Sequence, residues 1–436
     1  MMKNKPSILL ISVDALKPEF VFEQERLGIS LPNIRRYFVE GGACAGGGVK
    51  SVFPTFTYPC HQSMITGVNP AVHGIYNNGI FDPMGDHLGA WHWFANRRVK
   101  TLWEAAREHG YVSASAAFPT SVGARGDYIA PEFWWDGSAL DSEFIDAVAK
   151  PQGMIFEMEQ EIGTYAGGLD LTEAGDRQRF KAAMWILNHK IAPHLPETPF
   201  FMSAYFASFD ETAHQCGVYS EEAAKALEKI DAMLGEMIRR AHEMTDGHVV
   251  VCVCSDHGTI DNQYNINPNV RLREAGLITV DDSGNVTEWR AWSQRAGGMS
   301  EIRLKDSRDM AAKAALKAVV EELAADADSG ILEAVDREAA AARGGFPLAE
   351  YVLVAKKGYE IRDNATGPYC TTKLHQKAQH GYSEEFEEMR ASFMLEGEGI
   401  EAGMDLGAMN LIDIAPTLAG LMGFELFQAE GKCRLT

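Results

Sequence analysis

Three apolar runs in the sequence stop at polar residues, and they predict the central strands of the fold. The runs are residues 8–13, 199–206 and 248–254, and the polar residues that follow them include Asp14, Asp210 and Asp256. Continuous apolar runs of this length are typical of strands that are buried on both faces of a parallel sheet. We therefore expect three core strands, each with an acidic residue just beyond its end.

Segments with helical periodicity alternate with these runs. The predicted helices cover residues 57–67, 101–110, 177–190, 220–244 and 413–423. The longest of them has an apolar stripe formed by Ala224, Leu227, Ile230, Met233, Leu234, Met237 and Ile238. Alternation of strands and helices predicts an α/β fold with a mostly parallel central sheet sandwiched by helices. In such folds, ligands bind at the carboxyl ends of the strands.

The alternation breaks between residues 262 and 378, which predicts an inserted, smaller α+β subdomain. Residues 1–261 and 379–436 would then form one catalytic domain around it. Within the insertion we expect a hairpin over residues 277–292 and helical segments over 308–326 and 330–343. A second stretch, residues 119–170, shows no clear periodicity and is predicted to be irregular. Both stretches are expected to shape the substrate pocket.

Acidic residues dominate the charge of the chain, which has a formal net charge of −21. This charge argues against a nucleic-acid polymer or an anionic membrane surface as the main partner. The longest apolar runs fall short of the ~18 residues that cross a bilayer. Seven cysteines, an odd number without framework-like spacing, indicate a reducing compartment. We expect a cytoplasmic protein, and its oligomeric state stays open.

Potential metal ligands share one kind of position in the predicted fold. They follow strands or lie beside them, and they are Asp14, Asp210, His214, Asp256, His257 and His380. One ion would take Asp14, Asp256, His257 and the Thr57 hydroxyl, and a second ion would take Asp210, His214 and His380. Mixed imidazole and carboxylate ligands favour two divalent metal ions per chain, with zinc preferred over manganese or iron.

Two threonines, Thr55 and Thr57, precede the predicted helix that ends near Gly67. A hydroxyl at a helix N-terminus faces unpaired N–H groups and the positive end of the helix dipole, which suits a phosphate. Threonine at this position is also a common structural cap. The pattern alone leaves both hydroxyls as candidates.

Several short motifs occur together over residues 14–382. They are Val13-Asp14, the Pro-Thr-x-Thr-x-Pro block at 54–59, Thr66-Gly67, Pro70, His73-Gly74-Ile75, Asn78, Asp82-Pro83, Asp210 with His214, Ser255-Asp256-His257-Gly258 and His380-Gly381-Tyr382. This combination resembles the alkaline phosphatase superfamily, and most closely its nucleotide pyrophosphatase/phosphodiesterase branch. The resemblance implies a metal-dependent hydrolase that acts on small phosphodiester, pyrophosphate or nucleotide substrates.

The resemblance also implies roles for individual residues. Thr57, the second threonine of the block, would be the nucleophile that forms a covalent phosphothreonine. Asn78 would donate a hydrogen bond to a phosphoryl oxygen. Tyr58 and Tyr205 would pack against a nucleotide base or another leaving group. An uncharged donor such as Asn78 suits a diester, which carries less charge than a monoester.

Two positions depart from the family pattern. Cys60 stands where asparagine is usual, and Ala213 stands where glycine is usual. Tyr58 and Cys60 are therefore expected to influence substrate choice. A sulfatase is excluded because the Cys/Ser-x-Pro-x-Arg block is missing, and the serine nucleophile of cofactor-independent phosphoglycerate mutases is missing too. A phosphonate hydrolase similar to phosphonoacetate hydrolase, a phosphomonoesterase or phosphotransferase, and a non-catalytic metal-binding protein remain as alternatives.

Overall fold

The computed structural model of the chain describes residues 5–87, 89–94, 98–134, 141–165, 167–168 and 170–435. In chain order, the strands are β1 (Ser7–Val13), β2 (Ala43–Cys44), β3 (Val49–Lys50), β4 (Val112–Ala116), β5 (Tyr128–Ala130), β6 (Phe200–Phe206), β7 (Val249–Cys254), β8 (Ile260–Asp261), β9 (Tyr264–Ile266), β10 (Ile278–Val280), β11 (Val286–Trp289), β12 (Ala291–Ala296), β13 (Met299–Leu304), β14 (Ile331–Asp336), β15 (Tyr351–Ala355), β16 (Tyr359–Ile361), β17 (Cys370–Thr371), β18 (Ala378–Gln379), β19 (Phe393–Gly397), β20 (Met404–Asp405) and β21 (Met409–Asn410).

The α-helices are α1 (Pro18–Phe22), α2 (Gln24–Leu27), α3 (Pro32–Ile34), α4 (Thr57–Thr66), α5 (Pro70–His73), α6 (Leu102–Glu108), α7 (Ser142–Val148), α8 (Met154–Ile162), α9 (Glu173–Trp185), α10 (Ser208–Cys216), α11 (Glu221–Thr245), α12 (Pro268–Glu274), α13 (Met310–Ala325), α14 (Arg337–Ala342) and α15 (Ile414–Leu421). Short π-helical segments cover Arg35–Glu40 and Ile186–Ile191. Among the described helices, none combines the length and apolar character that a bilayer crossing requires.

A central eight-stranded sheet has the strand order β20-β2-β19-β7-β1-β6-β4-β5. Strand β1 pairs in parallel with both β6 and β7, and β19 is antiparallel to its two neighbours. Alternate residues of β1 enter two different cores: Leu9 and Ile11 lie on one face, and Ile8 and Leu10 lie on the other. Successive strand residues point to opposite faces, so a strand covered on both sides must be apolar throughout. The predicted α/β fold with its mostly parallel sheet is confirmed.

Helix α11 lies against one face of this sheet, and its boundaries follow from its sequence. The Ser220 hydroxyl accepts a hydrogen bond from the Ala223 amide at the first turn, which caps the helix. Leu227, Ile230 and Leu234 are fully buried in the core on that side of the sheet. The predicted amphipathic helix is confirmed.

Residues 119–170 are more regular than predicted. Their described parts contain β5, α7 and α8. The Asp141 side chain accepts from the Glu143 amide at the start of α7, and Asp146 accepts from the Ile155 amide at the start of α8. Side-chain caps of this kind start helices that are too short to show a clear periodicity. Residues 135–140, 166 and 169 lie outside the described residues.

Residues 262–378 contain a four-stranded antiparallel sheet in the order β12-β13-β15-β14, and the predicted hairpin is formed by β10 and β11. The predicted helix over 308–326 is α13. The predicted helical segment over 330–343 was wrong in its first half, because β14 pairs with β15 before α14 begins. The Asp336 side chain accepts from the Ala339 amide and so marks the change from strand to helix. The division of the chain into two domains stays a prediction.

Candidate active site

Three adjacent parallel strands bring the predicted acidic ligands together. In the sheet, β1 lies between β7 and β6. Asp14 follows β1, Asp256 follows β7, and Asp210 lies in the first turn of α10, just after β6. Because parallel strands end at the same edge of the sheet, all three carboxylates meet there. His214 lies in the last turn of α10, so the predicted i, i+4 pair with Asp210 does share one helix face.

Ligand atoms of the first group, Asp14, Asp256 and His257, lie within 4.8 Å of one another, and all three residues are buried. His257 Nε2 is 3.1 Å from Asp256 Oδ2 and 3.6 Å from Asp14 Oδ1. The Thr57 hydroxyl lies 3.3 Å from the same His257 nitrogen. The predicted first set of ligands is therefore assembled in one place.

The second group consists of Asp210, His257 and His380, whose ligand atoms also lie within 4.8 Å of one another. His380 Nε2 is 3.9 Å from Asp210 Oδ2, and His214 Nε2 is 2.9 Å from the same oxygen. The predicted second set named His214 in place of His257. The structure puts His257 between the two groups, with its ring 3.9 Å from that of His380. We call the two groups together with His214 the metal-ligand cluster.

Four buried polar atoms of the metal-ligand cluster have no hydrogen-bond partner among the described residues. Within the described residues, Asp14 Oδ1, Asp210 Oδ1, Asp256 Oδ2 and His380 Nδ1 are buried and accept or donate no hydrogen bond. The ion-pair partners of the three carboxylates there are all histidines. Buried carboxylates without a compensating cation are costly. The donor set therefore fits divalent cations that prefer oxygen and imidazole nitrogen ligands.

Shifts of pKa reflect the same excess of negative charge. Burial, together with repulsion from Asp256 and Asp210, raises the pKa of Asp14 well above its usual value. Burial acts to lower the pKa of His214, but the adjacent Asp210 outweighs burial and raises that pKa to about 9. A bound cation would take over the compensating role of these protons.

Backbone carbonyls orient the histidines. His214 Nδ1 is 2.7 Å from the carbonyl oxygen of Ala378, and His257 Nδ1 is 3.1 Å from that of Gly258. A proton on Nδ1 satisfies these carbonyls and leaves Nε2 as the donor atom for a metal. These contacts can be seen only in the folded chain, because the partners are remote in sequence or belong to the backbone.

His61 is a supporting residue that the sequence analysis missed. Its ring is fully buried, with Nδ1 2.8 Å from the Thr57 carbonyl and Nε2 2.9 Å from the Ser12 hydroxyl. The same Nδ1 atom lies 3.4 Å from Asp256 Oδ2. His61 therefore contacts both Thr57 and the predicted ligand Asp256. The available signal was its position four residues after Thr57 on one helix face.

The two candidate hydroxyls differ in their surroundings. Thr57 is the first residue of α4, where the preceding Phe56 is extended. The Thr55 hydroxyl is fully buried and donates a 2.7 Å hydrogen bond to the carbonyl oxygen of Tyr382. Thr55 thus joins its loop to the segment after His380, whereas Thr57 faces the metal-ligand cluster.

Asn78 lies next to this helix start. Its side-chain oxygen accepts a 2.8 Å hydrogen bond from the Tyr58 amide, one of the free N–H groups at the beginning of α4. This bond identifies the oxygen end of the side chain and leaves the NH₂ group as a donor. Asn78 also lines a cavity beside the cluster.

That cavity has a volume of about 420 Å³. Its described lining is rich in amides and aromatic rings, namely Asn77, Asn78, Gln294, Gln376, Gln379, Phe56, Trp91 and Trp292. His214 and His380 line it as well. Concave sites of this size with a few convergent polar groups commonly bind small molecules.

Tyr58 and Tyr205 have positions different from those predicted. Tyr58 is 1% exposed and donates to Glu132 Oε2 at 2.9 Å, and Tyr205 is 4% exposed and donates to Asp14 Oδ2 at 2.5 Å. Neither is among the described lining residues of the cavity. Both hydroxyls thus donate to buried carboxylates, and the two rings pack beneath the site and do not line the cavity. Phe56 and Trp91, which the sequence analysis did not single out, line the cavity instead.

Both tyrosines belong to a second buried polar group, which we call the arginine cluster: Arg179, Asp176, Glu132, Tyr58 and Tyr205. Arg179 Nη1 is 3.1 Å from Asp176 Oδ1, and the guanidinium lies 5.8 Å from the Tyr205 ring centre. Burial raises the pKa of Glu132 to about 7, against the opposing effect of Arg179. Asp176 also accepts the amides of residues 207 and 208, at the start of α10.

Known proteins identify the family. A profile of the type I phosphodiesterase/nucleotide pyrophosphatase family matches residues 8–383, which is most of the chain. The chain belongs to this family. The resemblance inferred from the motifs is therefore confirmed.

The chain is similar to several members of this family. It is 25% identical over 263 residues to human ectonucleotide pyrophosphatase/phosphodiesterase family member 1, a match that covers 58% of this chain and 23% of the human protein. The chain thus spans less than a quarter of that relative's length. It is 20% identical over 437 residues to the bis(5'-adenosyl)-triphosphatase ENPP4 of Pongo abelii, covering 96% of this chain and 78% of the relative.

Solved structures show the same fold. Murine ectonucleotide pyrophosphatase/phosphodiesterase 5, as an inactive threonine-to-alanine variant in complex with AMP, matches with a TM-score of 0.64 and 19% identity over 98% of both chains. The human counterpart matches with a TM-score of 0.64 and 18% identity, over 98% of this chain and 97% of that one.

The two departures from the family pattern lie away from the cavity. Cys60 is fully buried in the core with its sulfur 3.1 Å from the Ser51 hydroxyl, and Ala213 is fully buried in α10. Neither is among the described lining residues. Cys60 and Tyr58 are thus set back from the described cavity lining, and their influence on substrate choice stays a prediction.

Proposed function

We propose that this protein is a metal-dependent hydrolase that cleaves phosphodiester or pyrophosphate bonds in nucleotide-type substrates. Thr57 is the nucleophile and forms a covalent phosphothreonine. The ligands are Asp14, Asp256, His257 and Thr57 for one divalent cation, and Asp210, His214 and His380 for the other, with His257 between them. We retain the predicted cytoplasmic location as part of this proposal.

One observation carries the proposal: a threonine hydroxyl at a helix start faces a cluster of buried carboxylates that have unpaired oxygens. Thr57 Oγ1 lies 3.3 Å from His257 Nε2, and His257 belongs to both ligand groups. The neighbouring Thr55 hydroxyl is committed to the Tyr382 carbonyl. These contacts favour Thr57 over Thr55 as the nucleophile, in agreement with the role that the family resemblance implies.

Two divalent cations, with zinc as the first choice, would supply the Lewis acidity that lowers the pKa of the Thr57 hydroxyl and compensates charge on the leaving oxygen. In the first displacement, Thr57 Oγ forms a bond to phosphorus, and the leaving oxygen departs with its bonding electron pair. In the second displacement, the oxygen of water forms a bond to phosphorus, the bond between phosphorus and Thr57 Oγ breaks, and a proton from that water restores the threonine hydroxyl.

Asn78 has the role of a donor to a nonbridging phosphoryl oxygen. The Tyr58 amide holds the Asn78 side-chain oxygen at 2.8 Å and so orients its NH₂ group. A fixed, uncharged donor stabilises the negative charge that develops in the transition state. Loss of one such donor typically lowers kcat by on the order of 10²–10³.

The substrate class follows from the family and from the lining of the cavity. A relative is named as a bis(5'-adenosyl)-triphosphatase, and a structural neighbour was solved with AMP. The cavity of about 420 Å³ offers aromatic rings and side-chain amides next to His214 and His380. Aromatic faces and amides are suited to bases and sugars, so we infer a small nucleotide-type substrate.

A substrate panel combined with metal analysis tests the proposal. The purified protein is assayed with thymidine 5'-monophosphate p-nitrophenyl ester, p-nitrophenyl phosphate and phosphonoacetate, and its metal content is measured by mass spectrometry. We expect the highest kcat/KM for the nucleotide diester. Chelation should abolish turnover because the carboxylates lose their cations, and zinc should restore it.

The same panel contains its controls. The chelated protein should keep its far-ultraviolet circular dichroism spectrum, so that loss of activity is not loss of fold. A preference for phosphonoacetate would replace the proposal with a phosphonate hydrolase, and a preference for the monoester would indicate a phosphomonoesterase. Absence of metal binding together with absence of turnover would point to a non-catalytic protein.

A further inference from the structure

The cavity beside the metal-ligand cluster extends from Phe56 and Asn78, near the start of α4, to His214 and His380. His214 and His380 line it, whereas Thr57, Asp14 and Asp256 are not among its described lining residues. A substrate whose reacting phosphate lies at the cluster would therefore extend into this cavity of about 420 Å³.

Arg295 carries the one permanent positive charge among the described residues that line the cavity. Its side chain, at the end of β12, is 46% exposed. Three carboxylates line the cavity, and each has a partner: Asp82 accepts two backbone amides at 2.8 Å each, Glu360 pairs with Arg362 at 2.7 Å, and Asp363 accepts the backbone amide of Arg295 at 2.6 Å. Arg295 is thus the cationic side chain of the described lining whose guanidinium can form hydrogen bonds with a ligand.

The backbone of Arg295 is held firmly against the site. Its carbonyl oxygen accepts from Asn77 Nδ2 at 3.0 Å, next to Asn78. Two residues further on, Gly297 packs so closely that a Cβ atom there would lie 2.0 Å from the His380 carbonyl oxygen. Because strand residues advance about 3.3 Å each, Arg295 is fixed within roughly 7 Å of that contact.

The side chain of Arg295 is bound more loosely than that of Arg303, another arginine of the insertion. Its Nε atom lies 3.5 Å from Asp363 Oδ2, beyond hydrogen-bonding distance for a well-formed pair. Arg303, by contrast, contacts both oxygens of Glu301 at 2.8 and 2.9 Å. A fixed backbone with a weakly paired guanidinium suits the recognition of an anion, since the side chain can form a two-point contact with a phosphate.

We propose that Arg295 is a specificity-determining residue that binds a second phosphate on the leaving group. This inference rests on the proposed function, and it names the side chain that would favour a substrate with a second phosphate over a simple diester. The reacting phosphate lies at the metal-ligand cluster, and the next phosphate along the chain lies in the cavity against the guanidinium.

The test compares Arg295→Ala with the matched control Arg271→Ala. Arg271 is also a surface arginine of the insertion, with a side chain 40% exposed, and it pairs with Glu274 away from the cavity. For Arg295→Ala we expect kcat/KM on ATP to fall about 10- to 100-fold, the usual weight of charge-assisted hydrogen bonds. Turnover of thymidine 5'-monophosphate p-nitrophenyl ester, whose leaving group carries no second phosphate, should change less than about threefold, which is within the range of a rim contact.

A binding measurement separates this inference from the proposed function. By calorimetry on the zinc-loaded protein, Arg295→Ala should weaken inorganic pyrophosphate about 10-fold or more relative to inorganic phosphate. Arg295→Lys should recover part of that affinity, and Arg271→Ala should match the wild type. An equal loss for pyrophosphate and phosphate, or no loss for either, overturns the role of Arg295. Failure to turn over any ester would overturn the proposed function, while the binding comparison would still decide on Arg295.

Discussion

Two buried polar clusters lie side by side behind the cavity, and they solve the problem of buried charge in opposite ways. In the metal-ligand cluster, the described ion-pair partners of Asp14, Asp210 and Asp256 are histidines, and one oxygen of each carboxylate has no hydrogen-bond partner. In the arginine cluster, Arg179 pairs with Asp176 and opposes the rise in the pKa of Glu132, although its Nε and Nη2 atoms have no hydrogen-bond partner among the described residues. Tyr205 joins the two, since its hydroxyl donates to Asp14 and Arg179 lies near its ring.

The source of charge compensation differs between the two clusters, and this difference distinguishes residues that bind a ligand from residues that stabilise the fold. In a buried group that contains its own cation, removing that cation leaves the carboxylates uncompensated. A buried group with excess negative charge is complete only with a cation. Substitutions that remove charge should therefore affect stability in opposite directions in the two clusters.

The largest expected effect is on turnover in the metal-ligand cluster. Asp256→Asn keeps the acceptor for the Ala15 amide but removes a negative ligand. We expect kcat/KM on the nucleotide diester to fall on the order of 10³-fold or more, because several kcal/mol of metal stabilisation are lost. Zinc content should fall as well.

The same variant tests the sign of the stability effect. Metal-free Asp256→Asn should be at least as stable to urea as the metal-free wild type, because one repelling carboxylate has been removed. A metal-free variant that is clearly less stable than the metal-free wild type would contradict the assignment of uncompensated charge to this cluster.

A smaller effect on turnover, but a loss of stability, is expected in the arginine cluster. Arg179→Met removes the compensating cation and should lower the free energy of unfolding by about 3–5 kcal/mol, measured by urea denaturation. The zinc content per folded chain should stay near that of the wild type. Arg177→Met is the matched control: Arg177 lies on the same helix, 66% exposed, and pairs with Glu173 at the surface.

The control should change the free energy of unfolding by less than about 1 kcal/mol, as exposed ion pairs usually do. If Arg179→Met were as mild as Arg177→Met, the two clusters would not differ in the way described. If it lost its zinc while remaining folded, the arginine cluster would be part of the metal site.

The central fold was predictable because its signals are local. A run such as residues 8–13 must be buried on both faces, and a strand end followed by Asp14 or Asp256 identifies the binding edge of the sheet. The irregular stretch was predicted less well, because α7 and α8 depend on caps from Asp141 and Asp146 and not on a long periodicity. In residues 330–343, pairing with β15 makes the first half of the segment a strand, and no local pattern in the sequence indicates this pairing.

The candidate metal ligands of the site could be predicted from the sequence, but the residues that line the cavity could not. Strand-end positions bring Asp14, Asp256 and His257 together without any knowledge of the side-chain packing. The position of Tyr58 depends on a hydrogen bond to Glu132, 74 residues away. Arg295 approaches the site because the turn between β12 and β13, at Gly297, packs on the His380 carbonyl. Contacts between remote segments leave no periodic pattern in the sequence.

The nucleophile is the central claim, and a pair of threonine variants tests it most directly. Thr57→Ala and Thr55→Ala are each purified, loaded with zinc, analysed for metal content and assayed on thymidine 5'-monophosphate p-nitrophenyl ester. Thr57→Ala should keep about two metal ions per chain and lose measurable turnover, because no oxygen remains to attack phosphorus. Thr55→Ala should lose about 1–2 kcal/mol of stability with its hydrogen bond to Tyr382, and it should keep turnover. Turnover at the wild-type rate by a metal-loaded Thr57→Ala protein, or its loss in Thr55→Ala alone, would contradict the assignment.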